Sequence, residues 1–146
     1  MTMSAWHRPT HAHVPGQNAR HMEGAFDHIR ASAQPGMTPA DLAESDAFRH
    51  GLFYIDSGFY WEAHEVLEPI WLALPEGQDR RFLQALIQTA NAFLKREMMR
   101  PGAARRLCGI ARDLLPASRE AWVMGIGAGR IHAMLDSLEG DLRSAL

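Results

Sequence analysis

Apolar residues recur along most of this chain at three- and four-residue intervals, the spacing that lines one face of an α-helix. The first long helix starts cleanly: Thr38 is a good N-cap, Pro39 fits the first helical position, and Asp41 completes a capping-box arrangement. Leu42, Phe48, Leu52 and Ile55 follow at helical spacings, and Ser57-Gly58 ends the run. A second helix is predicted over residues 59–74 and stops at Pro75-Glu76-Gly77. A third, over 79–98, carries Phe82, Leu83, Leu86, Ile87, Ala90, Phe93 and Leu94 on one broad face. Pro101 opens a fourth, with Ala104, Leu107, Cys108, Ala111, Leu114 and Leu115 as its stripe and Pro116 at its end. Gly125, Gly127 and Gly129 then separate a short piece around Trp122 from a last helix over 130–145.

Upstream, residues 20–33 read as a short helix with Met22, Phe26 and Ile29 on one side. Residues 1–19 show no period and carry Pro9, Pro15, Gly16, His7, His11 and His13; they read as an arm, flexible or draped on the body, with a solvated histidine cluster. No alternation of period two appears. The expected fold is all-α: a compact bundle of about five to six helices built from antiparallel hairpins, with residues 1–37 as the arm and 38–146 as one domain.

Composition narrows the function classes. With 15 Lys and Arg against 17 Asp and Glu the net charge is −2, which argues against a nucleic-acid partner, since that needs a basic excess or stripe. No stretch approaches the roughly 20 apolar residues of a membrane span. The single cysteine, Cys108, permits no internal disulfide and favours a reducing, cytoplasmic setting. Eight histidines stand out, since His alone changes charge near neutral pH when unperturbed.

Candidate chemistry centres on FYWEAHEVLEPIW, residues 59–71. On a wheel advancing about 100° per residue, Tyr60, Ala63, Leu67, Ile70 and Leu74 form the apolar arc, and Glu62 and Glu65 point away from it. His64, Glu68 and Trp71 lie between, at i, i+4 and i+7, along one edge of the core face. An i, i+4 His and carboxylate can share one metal ion, or the carboxylate can orient the ring as a general base. Two ligands are too few for a tight metal site, and the second His of H-E-x-x-H is absent. A helix-surface hydrogen bond beside a core aromatic is the plainer alternative. Pro69 is expected to kink the helix next to Glu68. On the third helix Gln84, Gln88 and Asn91 align as a polar stripe, and Arg80 and Arg81 are candidates for pairing with Glu65 or Glu68.

These residues also carry a likeness. Glu62-Ala63-His64-Glu65-Val66-Leu67-Glu68 with Trp71, then Phe82-Leu83-Gln84-x-Leu86-Ile87-Gln88, then Gly102-Ala103, resembles the bacterial and archaeal family domain of unknown function 309. The resemblance covers residues 46–115 and implies a compact helical bundle without an established activity. It aligns the family's motif residues with His64, Glu65, Glu68, Trp71, Gln84 and Gln88. Met99-Arg100-Pro101 departs from the Gly-Asn that relatives often carry there. Three functions stay open. One is an enzyme or binder, hydrolytic or holding a divalent metal or small ligand, with His64 and Glu68 as catalytic or metal-ligating residues and Glu65, Trp71, Gln84 and Gln88 as ligand contacts. The second is a peptide-binding module of tetratricopeptide-like hairpins. The third is a homodimer built through the third helix.

Overall fold

The hydrophobic stripes meet in one core. The structure, a computed structural model, describes residues 6–144; the first five residues of the expected arm and Ala145 at the expected end of the last helix lie outside them. Among the described residues the order is α1 (Asp27–Arg30), α2 (Pro39–Ala43), α3 (Asp46–Ser57), α4 (Tyr60–Ala73), α5 (Gln78–Glu97), α6 (Pro101–Leu114), a two-stranded antiparallel ribbon of β1 (Trp122–Val123) and β2 (Ile126–Gly127), and α7 (Ala128–Ser144). The fold is all-α, with α5 at its centre: it packs on α4 along one side and on α6 along the other, while α3 packs on α4.

Three expectations are corrected locally. The first long helix is two helices. Thr38 caps α2 through the Asp41 N–H as expected, but Ser45 interrupts the run, accepting the Phe48 N–H at 3.2 Å and donating to the Leu42 carbonyl at 2.7 Å. A side chain that satisfies both a helix end and the next helix start makes the break stable. The helix over 20–33 shrinks to α1, because i to i+3 bonds from Ala25 to Met22 and from Asp27 to Gly24 make turns instead; Met22 is consequently exposed while Phe26 and Ile29 are buried. The glycine-rich stretch holds the ribbon, whose strands are too short to print a period on the sequence.

The hairpins that carry the site are set by small features. Gly58 closes α3 in the left-handed conformation at φ 85°, which only glycine adopts freely. Gly51 lets α3 approach α4: a Cβ there would lie 2.3 Å from Leu67 Cδ2, inside van der Waals contact. Met99 turns the chain between α5 and α6 at φ 62°. Cys108 is plain core, its thiol pushed up to about 11 by burial. At the far end Arg112 ties α6 to α7 through Asp136 and Glu139; hydrogen bonds from Arg119 and Arg112 hold the Asp136 carboxyl down at about 2.

Candidate functional site

Helices α4 and α5 lie side by side, so the edge of one wheel meets the polar stripe of the other. His64, Glu68, Trp71, Gln84 and Gln88 come together with Asn91, Leu72 and Ile87 around one cavity of about 350 Å³. The His64 ring is tethered across the helix pair: Nδ1 lies 3.0 Å from Asn91 Oδ1, and Asn91 Nδ2 donates to Gln88 Oε1 at 3.4 Å. That donation leaves the Asn91 oxygen free to accept, so the imidazole donates from Nδ1. Nε2 then carries the lone pair, and it lies 3.7 Å from Glu68 Oε2. His64 and Glu68 are 37% and 43% exposed, open enough for a ligand to reach both.

Glu65 is not part of this cavity. It faces Arg30, at 3.7 Å, and the same guanidinium lies 3.5 Å from Glu68 Oε1. Arg30 also donates to the Glu65 backbone carbonyl. The reason is Pro69: it has no N–H to give to the carbonyl four residues back, and Arg30 takes up the freed acceptor. With that substitution α4 continues through Pro69 without a break. Arg80 and Arg81 do not pair with Glu65 or Glu68. Arg80 stacks on Trp71, its guanidinium carbon 4.0 Å from the ring centroid, and donates from Nε to the Trp71 carbonyl at 3.2 Å. Arg81 donates to the Asp113 carbonyl at 3.3 Å. The Trp71 indole N–H is buried without an acceptor in the protein.

A second polar cluster lies on the opposite side of α4. Glu62 is fully buried, which reverses its expected outward direction, because residues of the arm cover that side of the helix. Its Oε2 accepts the His13 backbone N–H at 2.8 Å and His21 Nε2–H at 2.6 Å, while Oε1 has no partner. His7 donates its backbone N–H to His50 Nε2 at 3.0 Å, and its ring Nδ1 is 2.7 Å from the Tyr54 hydroxyl. Of the three arm histidines expected to be solvated, His13 is instead buried, at 4% exposed, and His7 and His11 are half-buried. Burial, then neighbouring His28, His50 and His21, lowers the His7 pKa; burial, then the Glu62 charge, raises that of the Tyr54 hydroxyl. Sequence spacing carries no signal for this cluster, since its partners lie more than 40 residues apart.

Neither cluster has the form of a metal centre. Among the described residues no three His, Cys, Asp or Glu side chains are placed to hold one ion. His64 Nδ1 is taken by Asn91 and Glu68 Oε1 faces Arg30, so the pair offers one nitrogen and one oxygen, short of a closed site.

With this geometry in place, comparison adds one relationship. Residues 48–107, from α3 into α6 and including every residue around the cavity, match the family model described as Domain of unknown function (DUF309). No curated protein and no solved structure matches the chain.

Proposed function

We propose that the α4–α5 cavity, which lies within the residues 48–107 that match that family model, binds a small polar molecule and uses His64 as a proton acceptor. One observation carries the reading: a tautomer-fixed imidazole, a carboxylate, two glutamines and an indole converge on one cavity of about 350 Å³. Volumes of this size suit small ligands. The imidazole, carboxylate and amide groups that converge among Trp71, Leu72 and Ile87 give such a ligand polar contacts that a peptide helix docked by its apolar face does not need.

The roles follow from the contacts. Asn91 fixes the ring so that Nε2 presents its lone pair to the cavity. When Nε2 takes a proton, Glu68 stands 3.7 Å away to stabilise the imidazolium, as a carboxylate partner does for a general base. Arg30 positions Glu68 from behind. Gln84 and Gln88 offer amide donors and acceptors to the bound molecule, and Trp71 and Ile87 give it an apolar wall. Proton abstraction and the activation of water in a hydrolysis are the reaction classes this set serves. Among the described residues no helix is long and apolar enough to cross a membrane; a reducing cytoplasm, suited to the one buried thiol of Cys108, is the setting this reading assumes.

The test is a thermal-shift screen of the wild-type chain against small amides, alcohols, carboxylates and phosphate esters, with His64→Gln and Gln88→Leu as comparisons. At least one compound class is expected to raise the wild-type Tm by several degrees, with the gain lost in both variants. A screen with no protecting compound, or protection undiminished in both variants, removes the reading.

A further inference from the structure

A second cavity, of about 270 Å³, adjoins the first: it is lined by Trp71, Glu76, Gly77, Arg80, Arg81 and Gln84, so Trp71 and Gln84 border both. Charge is distributed unevenly along this groove. The His64 end carries one carboxylate, and the far end carries two guanidinium groups at the start of α5 against the one carboxylate of Glu76.

Two arginines in the first turn of a helix sit against the positive end of its dipole. Here little offsets them. Gly77 supplies no side-chain cap to α5. Glu76 approaches Arg80 only to 3.9 Å and is 94% exposed. Asp79, the acidic residue of that turn, lines a different depression with Pro39 and Met124. Arg80 is nevertheless held still: the Trp71 ring packs on its plane and the Trp71 carbonyl takes its Nε–H. Arg80 therefore lines the cavity with its guanidinium held in a fixed orientation, the arrangement that recognises an oxyanion. Arg81 stands beside it, engaged only through one nitrogen with a carbonyl.

We infer that the Arg80–Arg81 end of the groove binds an oxyanion, so that the molecule held at His64 is a small organic carboxylate or phosphate ester. The anionic group sits between the two guanidinium groups. The body of the molecule passes Trp71 and Gln84 toward Gln88 and His64. This deepens the reading of the α4–α5 cavity and rests on it for the far end of the ligand, while the anion site stands on its own residues.

The experiment follows the Arg80 Nε–H and Trp71 indole N–H signals in ¹⁵N-labelled full-length chain, assigned with Arg80→Gln and Trp71→Phe. Inorganic phosphate, phenyl phosphate and benzoate are titrated separately. Saturable shifts of both signals are expected with phosphate or phenyl phosphate, or with benzoate if the natural group is a carboxylate. Binding should weaken at least tenfold in Arg80→Gln and in Arg81→Gln, and less in Arg80→Lys, which keeps charge but loses the planar stack. Well-dispersed amide spectra of each variant exclude misfolding as the cause. His64→Gln should retain phosphate binding. Absence of a saturable shift with all three probes, or equal affinity in the arginine variants and wild type, overturns the anion site. Failure of the His64 reading is separate: it shows in the thermal screen, whatever the phosphate titration gives.

Discussion

Glu62 and His64 sit two residues apart on α4 and belong to opposite kinds of polar cluster. Glu62 is sealed, with no exposed surface, and its bonds run to a chain segment some 40 to 50 residues away in sequence. His64 is more than a third exposed, and its bonds run across a cavity open to solvent. In the sealed cluster, polar atoms are arranged for one another, and an unmade bond is costly because water cannot replace it. In the open cluster water replaces whatever is lost, so the same residue types cost the fold little and stay available to a ligand. The difference teaches that carboxylate and imidazole content does not identify a site. Access does.

The largest test of this contrast removes each carboxylate in turn. Glu62→Ala leaves the His13 N–H and His21 without their acceptor inside the protein. It should cost about 2–4 kcal/mol of unfolding free energy in urea titrations. Glu68→Ala breaks exposed pairs and should cost about 0.5 kcal/mol or less. Equal losses from the two substitutions would erase the distinction between sealed and open.

A smaller effect is expected from pH on the sealed side. The folded state favours neutral His7, because burial and three neighbouring histidines lower its pKa below the ordinary 6.5. The unfolded chain therefore binds the proton more readily. Stability from this group is complete above about pH 6.5 and declines as pH falls through the lower, folded-state value. Urea midpoints measured from pH 7.5 to pH 5 should fall, and His7→Asn should remove part of that slope. An unchanged slope would mean that the His7 environment does not resist protonation.

How much of this could be read from sequence follows the same division. The helices of the core were legible because their stripes are local: Thr38 and Pro39 marked a start, and the face from Phe82 to Leu94 marked the long central helix. The open cluster was half legible. His64, Glu68 and Trp71 fell on one wheel edge, and Gln84, Gln88 and Asn91 on one stripe, but that the two edges meet depends on how α4 and α5 pack. The sealed cluster was hidden. A wheel gives a helix one inner side, whereas α4 is covered on a second by the arm, whose residues 6–19 have no period to announce contact. Arg30 was missed for a similar reason: only the packed structure brings it to the carbonyl that Pro69 leaves free.

A substitution with a modest effect on stability is the most informative about function. In Asn91→Leu the ring loses one partly exposed hydrogen bond, at a cost of about 0.5–1.5 kcal/mol. Its chemical consequence is larger. Asn91 is what makes Nδ1 the protonated nitrogen, since its amide nitrogen is committed to Gln88. Long-range ¹H–¹⁵N spectra of neutral wild type should therefore show His64 with a bare Nε2. In Asn91→Leu, Glu68 is the remaining polar neighbour, and a carboxylate 3.7 Å from Nε2 draws the proton to that nitrogen. The tautomer should invert, and ligands that need a lone pair at Nε2 should lose affinity while the fold holds. An Nε2–H tautomer already present in wild type would mean that His64 donates into the cavity. The base role would then pass from the imidazole to Glu68, with His64 holding its proton in place.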